Sequence, residues 1–262
     1  MYLKSCLLIL SYAFFERGMW GGVEYTFTLE NFGRVIDPLY ARIFLTSARI
    51  AGIATLLAIL IAYPAAYAIA QAPRRRQPML LFFAVLPFWS NYLIRTYAWM
   101  FILGGRGLPH LLELIGLEGF RFINTPFAVL VGIVYAYLPL MVFPIFVSLE
   151  KLDKRLLEAS DDLGASPFAT FRQITLPLSA PGMITGCMLV FILLMGEYLI
   201  PQMLGGGKVF FIGNALVDLF LQSLNWPFGS ACAMALVFIM MVTVGLYLKA
   251  TRATGSRDVS LM

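Results

Sequence analysis

The chain has 262 residues, 60% of them hydrophobic and only 13% charged, with a formal net charge of +5. Its mean hydropathy is +0.84. Soluble domains are about half apolar and about one quarter charged, so a water-soluble fold of this size would leave too much apolar surface uncovered. The lipid bilayer is the solvent this composition calls for.

Met1–Phe15 is apolar apart from Lys4 and a few small polar residues, but it is short for a span. It reads as a cleaved leader, as a short complete span, or as a span whose first part is missing. No A-x-A cleavage site follows, which counts against the leader. We take it as a first span, short and open to truncation. A spanning helix needs about 20 mostly apolar residues. Five further segments meet or approach this, at roughly Ile43–Ala70, Pro78–Leu103, Pro126–Leu149, Gly182–Leu204 and Ala231–Leu248. Pro64, Pro87, Pro139 and Pro144 fall inside them and are expected as kinks, tolerated because neighbouring helices satisfy the freed carbonyls.

The connections carry the charge. With the N-terminus inside, the inside segments hold Lys4, Arg74, Arg75, Arg76, Lys151, Lys154, Arg155, Arg172, Lys249, Arg252 and Arg257. The outside segments hold only Arg17, Arg34, Arg42, Arg106, Arg121 and Lys208. This asymmetry predicts about six transmembrane helices with both termini cytoplasmic. The same asymmetry accounts for the basic pI. No stretch presents a basic face, so nucleic acid is not an expected partner. The outer stretches Arg17–Arg42 and Gly104–Thr125 have room for short helices. Trp20, Tyr25 and Trp226 sit where an interfacial belt or a docking surface is expected. Residues 1–42 form a first span and outer segment, 43–250 the membrane core with a cytoplasmic loop at 150–180, and 251–262 a cytoplasmic tail.

Cys6, Cys187 and Cys232 lie singly in apolar runs, and His110 has no ligand cluster near it. No disulfide framework or metal site is expected. Gly205-Gly206-Gly207-Lys208 resembles a fragment of a phosphate-binding loop. Val209 stands where Ser or Thr is needed, however, and Gln202 where the first glycine is needed. It reads as a turn, so no nucleotide, metal or other cofactor is expected in this chain.

The loop at 150–180 is the most informative stretch. Lys154–Leu163 reads as a short helix with Leu156, Leu157 and Leu163 on an apolar side. Gly164 supplies a left-handed stop. Ser166-Pro167 supplies the cap and first-turn proline of a second helix. That helix is expected to run to about Ile174 and to be closed by Leu176-Pro177. A finger with an apolar side either packs on its own chain or docks on another.

The spacing Glu158-Ala159-Ser160, Gly164, nine residues, then Ile174-Thr175-Leu176-Pro177 resembles the EAA loop of importer permeases of the ATP-binding-cassette superfamily. Ser160 stands where that pattern usually has alanine, a change expected to matter little. The resemblance implies an all-α integral membrane fold, a type I importer permease (MetI-like) bundle with a cytoplasmic coupling helix. It implies that Glu158, Ala159, Gly164, Ile174, Leu176 and Pro177 couple the chain to an ATPase. Further segments resemble the spermidine/putrescine branch. These are Asp37-Pro38-Leu39-Tyr40, Ile94-Arg95-Thr96-Tyr97-Ala98-Trp99, Gly196-Glu197-Tyr198-Leu199-Ile200-Pro201 and Asn225-Trp226-Pro227-Phe228-Gly229.

The branch implies a non-catalytic subunit of the bacterial inner membrane. Its implied partners are a second, related permease, two cytoplasmic ATP-binding subunits that hold ATP and magnesium, and an extracytoplasmic solute-binding protein. Polyamine is the implied cargo. An amino-acid derivative, opine, thiamine or metal ion is the alternative within the family, and an ion-coupled secondary transporter the alternative outside it.

Charges inside the membrane mark candidate functional sites. Arg49 is placed to snorkel to the interface. Arg95 and Glu197 have two readings. They pair and stabilise the bundle, or Glu197 faces a solute path with Tyr97, Trp99 and Tyr198 offering aromatic faces to an ammonium group.

Overall fold

The computed structural model describes residues 2–19 and 21–259, with side chains described for residues 7–249. Trp20 and the Cys6 side chain lie outside the described residues. The chain is almost wholly helical. In order it forms α1 (Tyr2–Ser11), β1 (Phe15–Arg17), β2 (Val23–Phe27), α2 (Glu30–Val35) and α3 (Pro38–Gln71). There follow α4 (Gln77–Trp89), α5 (Tyr92–Leu103), α6 (Leu108–Leu114), α7 (Pro126–Glu150) and α8 (Lys154–Asp162). The remainder is α9 (Pro167–Met195), α10 (Leu199–Leu204), α11 (Ile212–Val217) and α12 (Trp226–Val259).

Four of these helices are long and apolar enough to cross a membrane: α3, α7, α9 and the Trp226–Lys249 part of α12. A fifth candidate is the pair α4 and α5, which is bent by 86° at its break. The first segment is a helix of 10 residues. Burial on α3 is reversed relative to a soluble helix. Most of its buried residues are small: Ser47, Ala51, Ala54, Ala58, Ala62 and Ala66. Its exposed face is large and apolar: Leu45, Ile53, Leu56 and Leu60. In lipid, helices associate through small residues that let backbones approach, and large aliphatic side chains face the acyl chains.

The observed boundaries differ from those expected, and helix caps explain most of the differences. Helix α3 begins at Pro38, not Ile43, because the Asp37 carboxylate accepts the Leu39 N–H at 3.0 Å and Pro38 fits a first turn. Helix α12 begins at Trp226, not Ala231, because Asn225 Oδ1 accepts the Phe228 N–H at 3.4 Å. The expected span Pro78–Leu103 breaks at Ser90-Asn91. There Asn91 Oδ1 accepts the Leu93 N–H at 2.8 Å and caps a new helix.

The expected span Gly182–Leu204 is displaced most. It starts at Pro167 and ends at Met195, so Leu176-Pro177 does not close the finger. Between Phe171 and Thr175 the chain takes a π-turn, and the Leu176 N–H donates to the carbonyl of Phe171. This wider turn shifts the carbonyls that a proline ring at position 177 would otherwise meet. The helix therefore continues through Pro177 and also contains Pro181. Pro64, Pro87, Pro139 and Pro144 likewise lie within their helices.

By contacts the chain divides into two compact units, each drawing on parts of the same long helices. The first comprises residues 1–52, 96–133 and 192–243. Here the short antiparallel hairpin β1–β2, absent from the sequence expectation, is anchored by buried Asn31. Its amide donates to the carbonyls of Ala13 and Phe15. Arg17 donates to the Ser223 carbonyl at 2.8 Å. The Arg34 guanidinium lies 4.4 Å from the Phe228 ring centre, and the Tyr40 ring meets the same phenyl edge-on at 4.6 Å. The segments around Asp37 and Asn225 thus share one aromatic anchor. The expected short helices of the outer stretches are α2 and α6.

The second unit comprises residues 53–95, 134–191 and 244–262. Here α7 and α9 cross closely. A Cβ on Gly182 would fall 2.5 Å from Ser148 Oγ, so only glycine permits this approach. Tyr63 and Ser179 share a buried hydroxyl hydrogen bond of 2.9 Å. Thr185 and Tyr247 share a part-buried one, of 3.2 Å.

Candidate functional site

The finger lies wholly within the second unit. Asp153 opens it, and its Oδ1 accepts the Arg155 N–H at 3.0 Å. This cap was not foreseen, although an aspartate directly before a helical run is the ordinary signal for one. Helix α8 then runs to Asp162 and ends in a Schellman turn. The Ala165 N–H donates to the Ser160 carbonyl at 3.1 Å, and the Gly164 N–H to the Asp161 carbonyl at 2.9 Å. Gly164 sits at φ +75°, the left-handed conformation expected of it. Ser166 caps the second arm by accepting the Ala169 N–H at 3.3 Å, and Pro167 takes the first turn. The second arm is the first turn of α9, continuous with the fourth span.

Glu158, Ala159 and Gly164 are exposed on this finger. Ile174 and Leu176 are half-buried and Pro177 is exposed, but they lie further along α9, beyond the finger's tip. The loop pattern therefore covers two kinds of residue. Its first half shapes the projecting turn, and its second half joins that turn to a spanning helix. The apolar side is open: Leu163 is 87% exposed and Phe168 is 72% exposed. Ser160 and Thr170, by contrast, are buried and bring their hydroxyl oxygens to 2.7 Å. The expectation that serine at 160 differs little from alanine is therefore incomplete.

At the foot of the finger is a cavity of about 300 Å³. Arg74, Glu150, Lys154, Glu158 and Asp161 line it, together with Gln77. Gln77 holds the turn between α3 and α4 by donating to the carbonyls of Ala70 and Ala72, each at 3.0 Å. His110 and Glu113, both on α6, form an ion pair at 3.7 Å. The charges around this cavity lie near one another, and none of them forms an ion pair within 4.0 Å among the described residues.

Glu197 lies in the first unit and has a different environment. It is 7% exposed. Its Oε1 accepts the N–H groups of Leu199 at 2.8 Å and Ile200 at 3.2 Å, so it caps α10. Asn214 holds the same turn, donating to the Tyr198 carbonyl at 2.9 Å and to Gln202 Oε1 at 3.2 Å. Tyr97 and Tyr198 are about half exposed, and Trp99 is half-buried. Arg95 lies in the second unit with its guanidinium carbon 5.5 Å from the ring centres of both Phe88 and Tyr92. Its Nε and Nη1 are buried without a hydrogen-bond partner among the described residues. Arg49 is exposed on its helix.

With the geometry in hand, known proteins bear on it. Residues 62–252 match the family described as binding-protein-dependent transport system inner membrane component. The chain is 41% identical over 249 residues to the spermidine/putrescine transport system permease protein PotB of Haemophilus influenzae, covering 94% of this chain and 87% of the relative. It is also 41% identical to the protein of that name in Escherichia coli, covering 94% and 90%. The inner membrane ABC transporter permease protein YdcU of Escherichia coli is 30% identical, covering 88% and 77%.

Among solved structures, a bacterial ABC transporter involved in import of the acidic polysaccharide alginate matches with TM-score 0.73 at 15% identity, covering 98% of this chain and 90% of that one. The inward-facing MetNI methionine ABC transporter matches with TM-score 0.64 at 15% identity, covering 82% and 95%. These two likenesses establish a shared fold. The family match spans the finger and four of the spanning segments, and the chain belongs to the family of binding-protein-dependent transport system inner membrane components.

Proposed function

We propose that this chain is a membrane-spanning subunit of an ATP-driven importer and that its cargo is a polyamine of the spermidine and putrescine class. The observation that carries the importer reading is the finger: a capped helix, a left-handed glycine and a second capped helix, with Glu158, Ala159 and Gly164 turned out to solvent. A Cβ at Gly164 would meet nothing within 4 Å of its own chain. The space around it is left for another protein. The cargo reading rests on relatives that are 41% identical across nearly the whole chain.

In this reading both termini and the finger are cytoplasmic. Two ATP-binding subunits hold ATP and magnesium, and this chain receives their motion through the finger. A second permease, related but different, completes the path. A solute-binding protein delivers polyamine to the outer loops. This chain performs no bond chemistry. Glu158 offers a carboxylate to the ATPase, Gly164 shapes the turn, and α9 carries the displacement into the membrane. Glu197 is the candidate for meeting a cationic solute.

The test is uptake by the complete transporter in proteoliposomes, with labelled spermidine outside and ATP within. ATP-dependent spermidine uptake, competed by putrescine and insensitive to collapse of ion gradients, is the expected result. Uptake that follows an ion gradient without ATP overturns the importer reading. ATP-driven uptake of a different solute, with spermidine inert, overturns only the cargo.

A further inference from the structure

We infer that the Ser160–Thr170 hydroxyl pair is a positioning device, which makes the two arms of the finger move as one strut. The inference rests on the importer reading and goes beyond it, because it assigns coupling to side chains that touch no partner.

The two arms of the finger are joined by Gly164 and Ala165. A glycine at φ +75° lies in a conformation from which the chain can readily depart. The turn's own hydrogen bonds, Ala165 N–H to the Ser160 carbonyl and Gly164 N–H to the Asp161 carbonyl, end at Ala165, so a further contact is needed to fix the second arm's angle to α8. The large apolar side chains do not supply it, because Leu156, Leu163 and Phe168 are exposed. The contact that closes the finger is polar. Ser160, in α8, and Thr170, in the second arm, are 6% and 9% exposed, and their oxygens are 2.7 Å apart. A hydroxyl pair removed from water is a directional restraint, and loss of one partner leaves the other unsatisfied.

Thr170 is also the last residue before the π-turn. The next residue, Phe171, meets the rings of Tyr63 and Tyr67 edge-on, each at 5.8 Å between centres. Tyr63 in turn bonds Ser179 on α9. A force on α8 thus has a continuous packed route into α3 and α9 through Ser160, Thr170, Phe171 and Tyr63. Without the hydroxyl pair, α8 tilts about Gly164 and the force is lost at the turn.

The test measures solute uptake and ATP hydrolysis separately in the reconstituted complete transporter, each normalised to folded complex. Ser160→Ala and Thr170→Val are each expected to lower uptake per ATP by about fivefold, the population shift that one lost net hydrogen bond produces. The double variant is expected to fall no further, because both changes remove one interaction. Thr170→Ser keeps the hydroxyl and is expected to stay near the parent ratio. A merely structural role would lower abundance or melting temperature and leave the ratio intact. The inference is overturned if both single variants keep the parent ratio, if the double variant shows the product of two independent losses, or if Thr170→Ser falls as far as Thr170→Val. Parent protein that shows no ATP-driven uptake overturns the importer reading itself, an outcome separate from those three.

Discussion

Glu158 and Glu197 are the two carboxylates that the sequence singles out, and they sit in surroundings of opposite character. Glu158 is exposed, faces a cavity with cations and carboxylates around it, and is not ion-paired within 4.0 Å. Glu197 is buried and holds two backbone N–H groups at the start of α10. The first charge is solvated and, on the importer reading proposed above, free to meet a partner. The second stabilises its own chain, so a solute that seeks it competes with the backbone. A charge in a membrane protein is therefore not by itself a solute site, because a helix N-terminus in a water-poor setting makes the same demand for an acceptor.

The largest effect is expected at the finger. Gly164→Val places a β-branched side chain in the left-handed region, at a cost of about 1–2 kcal/mol or more, and fills space that is open beside the turn. Uptake by the reconstituted transporter should fall by at least about tenfold, while the binding protein still docks on the outer loops. Parent-level uptake would remove the finger from the coupling mechanism.

The next test separates the two roles of Glu197. Glu197→Gln retains an oxygen for the cap and removes the charge. If the charge serves a cationic solute, KM for spermidine should rise by about tenfold with abundance unchanged, in keeping with the worth of a charged hydrogen bond. An unchanged KM would remove Glu197 from the solute path. Glu197→Ala should in addition lower thermal stability by about 1 kcal/mol, read as a lower melting temperature in detergent.

Smaller effects are expected at the remaining caps. Asn225→Ala should cost about 1 kcal/mol, because it frees the Phe228 N–H at the start of α12, whereas Asn225→Asp should be nearly neutral. Asp153→Ala should cost about 0.5 kcal/mol, since water can replace an exposed cap. If Asp153→Ala instead abolishes coupling at full stability, the residue acts on the partner and the contrast between exposed and buried acids becomes sharper.

Much of this was legible in the residues. The apolar runs marked the spanning segments, and Gly164 and Ser166-Pro167 marked the finger's turn and second cap. The errors fell where a local signal competed with hydropathy. Asp37-Pro38 and Asn225 were cap signals, yet a hydropathy window discounts polar residues at the ends of a span. Ser90-Asn91 was another, hidden inside an apolar run. Pro177 misled in the other direction. A proline is ordinarily a stop, and the π-turn that permits it depends on packing that no residue count contains.

The sequence by itself determined the solvent, the family and the shape of the finger's turn. These follow from composition, fixed spacing and single-residue conformational preferences, which act locally. Only the tertiary structure decided that Glu197 caps a helix, that Ser160 meets Thr170, and that α9 runs unbroken from the finger through Pro177. Each depends on which backbone group or hydroxyl lies within about 3 Å of another, a distance that hydrogen bonding requires and periodicity does not encode.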